Sequence, residues 1–428
     1  MPAIPSLLDT DLYKLTMQAA VLEHFPAVPV TYQLKNRTPQ KKLTPAAFEW
    51  LAAEIAALGE LAFSEAEIDY LRTSVPQLPL AYLDYVKTFR LRPAEQIKLA
   101  YDDAAQDFSI EIGGLWVETI LYEIPILALV SEAYFRFVDT DWDTAGQVEL
   151  AERKCLDLLA AGCSFSEFGT RRRRSFAVQE LVMRGLVAGH EQFVAAHGGS
   201  TAVGLRGTSN VHFARQFGLV PIGTVAHEWM MGIAAVTGDY DHPNATAMTK
   251  WRETIGDKYV GVALTDTFGT DAFLRDFTHP LVDIFAGVRQ DSGDPLVFVD
   301  KIAAHYDALG VDKSTKAIVF SDSLDVEACK RYKAATDAKG MIASFGVGTF
   351  LTNDFRVKSS PKDKSTPLNI VIKIATAGGN PAVKISDNMA KNTGDQATVD
   401  RVKVQLGYVE RTWTDGDEAT RWDAPETK

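Results

Sequence analysis

The sequence predicts an α/β protein: a parallel sheet covered by helices, joined to an α+β unit to which both chain ends contribute. Three observations carry this expectation. At 428 residues the chain exceeds ordinary single-domain size, so two or more domains around a large core are expected. From Ala151 onward, short apolar runs alternate with helical patterns, the rhythm of parallel strands buried on both faces. After Phe355 that rhythm stops and strand-like segments return, as near the N-terminus.

Composition bounds the class of protein. Charged residues make up 23% and hydrophobic residues 46%, as in an ordinary globular enzyme. A formal charge of -12 argues against a protein that coats nucleic acid or an anionic membrane, while leaving room for a locally basic pocket. Cys155, Cys163 and Cys329 are odd in number and have no metal-ligand spacing, so neither a disulfide framework nor a zinc site is expected. The first residues lack the basic and apolar regions of a signal peptide, and no apolar run is long enough to span a bilayer. A reducing, cytoplasmic setting is the expectation.

Taken in order, Asp11 to Phe25 reads as a helix and VTYQLK, from Val30, alternates as a strand. FEWLAAEIAALGEL, from Phe48, has helical periodicity ending near Gly59, and SIEIGG, from Ser109, reads as a strand. ETILYEIPILALVSEAYFRF, from Glu118, is apolar but holds three glutamates and Pro125, which predicts a buried, kinked helix. Seven candidate strands follow, starting near Cys163, Val203, Val220, Val260, Val282, Ala317 and Ile342, with helices from Phe176 and Asp294 among those between them. Seven such runs predict a closed or irregular barrel, with a doubly wound open sheet as the alternative. SSPKDKSTP, from Ser359, reads as a polar loop, LNIVIKIA as a strand, AGGNP as a turn and VKIS, from Val383, as a short strand.

Either architecture puts a ligand at the carboxyl ends of the strands. The residues there are polar or Gly in nearly every case: Gly169 to Arg171, Arg206 to Ser209, Thr224 to His227, Thr265 to Thr267, Arg289 to Asp294, Ser321 to Ser323 and Gly346 to Thr349. Four consecutive arginines, Arg171 to Arg174, cannot all face one pocket, and Arg171, nearest the strand end, best fits a bidentate phosphate contact. A solvated helix start is the bland alternative. Arg289, in VRQDSGD, suits an anionic ring substituent or a phosphate, and Asp291 and Asp294 suit ribose hydroxyls or Mg²⁺.

Gly346, Gly348 and Thr349 in SFGVGT resemble a cradle in which backbone N-H groups approach an anion, although a plain tight turn has the same pattern. FSDSLD, containing Ser321, repeats the design with hydroxyls. His227 follows Gly-Thr-Val-Ala at a strand end, with Glu228 and Asp266 as candidates to orient it. A neutral imidazole so held is a nucleophile for a phosphoryl group. Tyr13 and Phe168 are either core residues or the two faces of a slot for an aromatic ring.

The motifs DLYKLTM at Asp11, EFGTRRRRS at Glu167, GTSNV at Gly207, GTVAHEW at Gly223, VRQDSGDP at Val288, FSDSLD at Phe320, FGVGTFLTND at Phe345 and VKISD at Val383 together resemble the nicotinate phosphoribosyltransferases, type II phosphoribosyltransferases, over nearly the whole chain. The resemblance implies an irregular TIM-like α/β barrel carrying the active site, residues 141–355. It also implies an α+β domain in which residues 1–140 are completed by 356–428. It implies a homodimer with active sites at the subunit boundary. The implied reaction joins nicotinate to 5-phosphoribosyl 1-diphosphate, giving nicotinate mononucleotide and diphosphate in NAD salvage, with ATP as co-substrate and Mg²⁺ as cofactor.

Carried over by resemblance, Phe168 stacks on the pyridine ring with Tyr13 of the partner on its other face. Arg289, Thr224 and Ser209 line the nicotinate site. Arg171, Asp291, Gly346, Gly348 and Thr349 hold the phosphoribosyl diphosphate, while Arg37, Lys373 and Lys384 meet phosphates at the dimer boundary. His227 is the implied phosphohistidine, oriented by Asp266. Ser209 favours nicotinate, because a carboxylate at that place, as in nicotinamide-using relatives, would repel the acid. The Mg²⁺ ligands and the separate roles of Arg172, Arg173 and Arg174 are left open.

Two other classes compete. Nicotinamide or quinolinate phosphoribosyltransferases are the near rivals. A sugar-phosphate isomerase or aldolase needs a catalytic Lys or Glu at a strand end, which the ring of strand ends lacks. A non-catalytic nucleotide-binding scaffold has no need of His227, Arg289 and Asp291 together.

Overall fold

A computed structural model describes residues 2–388 and 391–409, so the predicted C-terminal segment beyond residue 409 lies outside the described residues. Its strands are β1 (Pro29–Asn36), β2 (Ile97–Asp102), β3 (Asp107–Leu115), β4 (Phe165–Glu167), β5 (Leu205–Thr208), β6 (Val262–Leu264) and β7 (Gly287–Gln290). They continue with β8 (Ala317–Phe320), β9 (Ile342–Val347), β10 (Phe355–Val357), β11 (Ser360–Ser365), β12 (Ile370–Ala377) and β13 (Asn380–Pro381).

Both chain ends meet in one antiparallel sheet, ordered β13-β12-β1-β3-β2. Alternation builds β1: Val30 and Tyr32 face the core while Thr31, Gln33 and Lys35 face out. Its pairing with β12 sets Gln33 opposite Lys373 and Asn36 opposite Ile370. The helix Leu12–His24 begins after the extended N-cap Asp11 and is almost wholly buried in its first three turns.

The second sheet is parallel and six-stranded, ordered β5-β4-β9-β8-β7-β6, with Phe165 opposite Phe345 and Arg289 opposite Val319. Helices start in good order beyond its strands. Ser175 caps Phe176–Ala196 through Val178, and Asp294 caps Pro295–Leu309 with Pro at the first position.

Several expectations need correction. The run at Val220 forms no strand: Pro221 makes a single bridge to Thr208, because proline offers no N-H to a ladder. His227, a few residues on, reaches Thr267 and Asp266 just past β6. This irregular segment therefore spans the gap between β5 and β6, where the described strands do not pair. The run at Val282 splits into a helical turn, Leu281–Ile284, and β7.

The apolar run from Glu118 is not one kinked helix. A 3-10 turn, Ile120–Tyr122, precedes the helix Glu123–Phe137, and Pro125 sits harmlessly in that helix's first turn. The polar tract at Ser359 is no loop, since β11 pairs with β10. VKIS forms only an isolated bridge, Lys384 to Thr393.

Candidate active site

At the carboxyl ends of the parallel strands lies a cavity of about 160 Å³, walled on its far side by β12. The two sheets thus supply one site. Tyr13, Arg37, Phe168, Arg171, His227 and Arg289 all line it, as do Asp291, Ser321, Gly346, Gly348, Thr349, Lys373 and Lys384.

His227 opens the helix His227–Thr237 and is 6% exposed. Its Nδ1 lies 3.0 Å from Thr267 Oγ1 and its Nε2 lies 2.9 Å from Asp291 Oδ2 and 3.1 Å from Lys384 Nζ. Asp266 Oδ1 stands further off, at 3.7 Å, and Asp266 is held instead by Ser292 Oγ at 2.5 Å and Lys384 at 3.0 Å. The carboxylate that bonds the ring is therefore Asp291, not Asp266 as expected. Burial first, then the charge of Lys384, drives the imidazole down to about 4, so it is neutral near pH 7. Glu228 turns away from the ring and accepts from Lys14, Tyr32 and Trp116 in a buried network.

Arg289 projects from β7 with its fork already ordered. Nε donates to Ser321 at 2.8 Å, Nη1 to Thr224 at 3.0 Å and Nη2 to Asp291 at 2.8 Å. Burial works against the charge of Asp291, but Arg289 and His227 overcome it and hold the carboxyl well below its usual range.

Phe168 follows β4, and its ring rests where a side chain on Gly346 would stand. The glycine is there to seat the aromatic ring, a reason different from the anion cradle read in the sequence. Gly348 is likewise close to the Phe168 carbonyl. Tyr13 of the same chain lines this cavity too. Ser209 is buried and donates to Asp11 at 2.7 Å, so its hydroxyl braces the start of the first helix and does not line the cavity. Thr224 acts through Arg289.

The four arginines separate because a 3-10 turn, Thr170–Arg172, gives way to extended backbone at Arg173. Arg171 lines the cavity, with Glu123 at 3.8 Å. Arg172 donates to Asn369 and the Ile370 carbonyl, fastening β12. Arg173 grips both oxygens of Asp9 at 2.7 Å, and Arg174 donates to Asn353 and Ser365 with its plane over Phe135. Arg171 and Arg172 thus both line the cavity, while Arg173 holds the N-terminal segment and Arg174 the strand β11.

Glu123 and Lys391 were missed, and Thr267 and Asp322 stood in the ring of strand ends without a role of their own. Glu123 lines the cavity, held by Lys14. A carboxylate in an otherwise apolar run needs a partner, and that was the available signal. Lys391 lines the cavity too, bonded to Asp322 and donating to the Asp291 carbonyl at 3.2 Å.

His227, Asp266 and Asp291 bring one ligand atom each within 4.8 Å of one another. Asp266 Oδ1 is buried without a hydrogen-bond partner among the described residues. No helix among the described residues is long and apolar enough to cross a membrane.

Comparison with known proteins agrees with this geometry. Residues 8–131 match the model of the nicotinate phosphoribosyltransferase N-terminal domain, and residues 163–410 match that of the nicotinate phosphoribosyltransferase family. The nicotinate phosphoribosyltransferase of Saccharomyces cerevisiae is 50% identical over 98% of this chain and 99% of its own, and that of Methanosarcina mazei 40% over 92% and 96%. A crystal structure from S. cerevisiae covers 96% of this chain and 99% of its own with a TM-score of 0.92 at 50% identity. That of the Porphyromonas gingivalis nicotinate phosphoribosyltransferase covers 94% and 100% at 0.83 and 34% identity. With both halves matched and the site assembled between them, the chain belongs to the nicotinate phosphoribosyltransferase family.

Proposed function

We propose that the chain joins nicotinate to 5-phosphoribosyl 1-diphosphate, releasing diphosphate and nicotinate mononucleotide for NAD salvage, and couples this to ATP through His227. The observation that carries the proposal is one cavity holding a preformed Arg289 fork, the aromatic pair Phe168 and Tyr13, and a neutral histidine between a carboxylate and a lysine.

The pyridine ring fits between aromatic faces, and its carboxylate meets Arg289 beside Thr224. Asp291 and Ser321 fix the guanidinium so that little freedom is lost on binding. Arg171, Arg37 and Lys373 supply positive charge for the phosphates. As the ring nitrogen attacks the ribose carbon, diphosphate leaves and oxocarbenium-like charge develops on the sugar, which Asp291 offsets. No bond from protein to sugar is required.

ATP phosphorylates the uncharged imidazole of His227, whose tautomer Thr267 and Asp291 fix. Lys384 offsets the negative charge of the phosphoryl group, and hydrolysis of the phosphohistidine drives the transfer forward. Asp266 and Asp291 fit Mg²⁺: the ion takes oxygen ligands, and Asp266 Oδ1 has a vacant lone pair. When bound, the ion neutralises departing diphosphate.

The homodimer implied by the resemblance belongs to this proposal, and within one chain Tyr13 and Phe168 line the same cavity. Cys155, Cys163 and Cys329 are buried and form no disulfide with one another, which suits a cytoplasmic setting. A His227→Ala variant tests the coupling: nicotinate-stimulated ATP hydrolysis is lost while uncoupled transfer is affected less. Full coupling in that variant would refute the phosphohistidine.

A further inference from the structure

We propose that Glu123 is a resident counter-anion for Arg171: it stands beside the guanidinium until a phosphate group binds there, then repels that group, and so sets how readily diphosphate leaves. This rests on reading the cavity as a phosphate site.

Lys14 lies fully buried in ion pairs with two carboxylates, Glu123 at 2.5 Å and Glu228. Glu228 commits both oxygens to the fold: Oε2 accepts from Lys14, and Oε1 accepts from Tyr32 at 2.6 Å and Trp116 at 2.8 Å. Glu123 commits only one. Its Oε2 meets Lys14, while Oε1 takes no hydrogen bond from the described residues and has Arg171 Nη1 at 3.8 Å. The trio therefore carries one negative charge more than Lys14 can match, on a carboxylate that lines the cavity. Folding does not require that charge: with Glu123 neutral, Lys14 keeps Glu228, and no buried ion is left alone.

Arg171 explains it. Arg289 has Nε, Nη1 and Nη2 all engaged, whereas Arg171 makes no hydrogen bond with the described residues. Among them, Glu123 is the one carboxylate in ion-pair reach of its guanidinium. Two other carboxylates of the cavity are held elsewhere, Asp291 by Arg289 and His227 and Asp322 by Lys391. At 3.8 Å, Glu123 attracts Arg171 by charge without taking up its donors, which stay free for a ligand. Burial opposes the charge on Glu123, but Lys14, Lys373 and Arg171 overcome it and hold the carboxyl below its usual range.

Once a phosphate group rests on Arg171, the same carboxylate faces it as a like charge. In a partly buried site such a pair changes affinity by about tenfold. The cavity is thereby kept from holding its anionic product too tightly.

Calorimetric binding of inorganic diphosphate, and its inhibition of turnover against 5-phosphoribosyl 1-diphosphate, test this. Glu123→Gln should bind diphosphate about tenfold more tightly. KM for 5-phosphoribosyl 1-diphosphate should fall with it, and KM for nicotinate should change little. Glu123→Asp keeps the charge and should stay close to the natural protein. A merely structural role predicts the opposite sign, because a disturbed site binds more weakly. Circular dichroism should show both variants folded, and an unfolded Glu123→Gln would contradict the claim that this charge is surplus to the fold. Unchanged or weaker diphosphate binding in Glu123→Gln, or equal tightening in both variants, overturns the inference and leaves the phosphate site intact. No diphosphate binding by the natural protein overturns both.

Discussion

His227 shows what a single residue gains from its place. Thr267 and Asp291 bond its two nitrogens, and burial with Lys384 removes its charge. Its proton affinity is lower folded than unfolded, so below the ordinary value of about 6.5 the unfolded chain binds a proton that the native protein refuses. Stability from this source is complete above about 6.5 and falls as pH drops toward 4. Urea denaturation at several pH values should show a shallower fall for His227→Gln than for the natural protein. At Arg289, replacement by Lys keeps charge but loses the fork, and about 1.5–3 kcal/mol of charge-assisted bonding goes with it. Steady-state kinetics should show KM for nicotinate raised about tenfold to a hundredfold.

The histidine was legible because it follows Gly-Thr-Val-Ala at the start of a helix, although the run before it forms no strand. Its partner was not. Asp266 and Asp291 follow different strands, and only the register of β6 against β7 decides which carboxylate touches the ring. Ser209 was misread for a similar reason: sequence gives its position at a strand end but not the Asp11 carboxylate that claims its hydroxyl.

Elements were legible where one face is apolar. The alternation in β1 and the periodicity of Phe176–Ala196 survive in the structure. β11 escaped notice because SPKDKS is mostly exposed and has no apolar face to betray a strand. The segment after Val220 misled in the opposite sense: it is apolar like its neighbours, but Pro221 cannot extend a ladder, and a side chain on Gly223 would crowd the backbone of Tyr13. At this scale the arginine run is the testable device. Arg173 and Asp9 are both fully buried, so Arg173→Met strands a carboxylate and should cost about 3–5 kcal/mol, read as a lowered midpoint in chemical denaturation. Gly346→Ala should leave stability less affected but weaken nicotinate binding, since the added methyl displaces the Phe168 ring.

At the scale of the molecule, the cavity exists because two sheets meet. The parallel sheet brings Arg289, Asp291 and Phe168, and the antiparallel sheet brings Lys373 from a strand far along the chain. The rhythm of runs made the two units legible, whereas the fact that Tyr13 and Phe168 share a cavity within one chain depends on how the first helix packs, which no local pattern records. The account as a whole stands on its substrate. Incubation with 5-phosphoribosyl 1-diphosphate, ATP and Mg²⁺ in the presence of nicotinate or nicotinamide, followed by product mass, should give nicotinate mononucleotide with ATP consumed. Nicotinamide mononucleotide as the preferred product would contradict it.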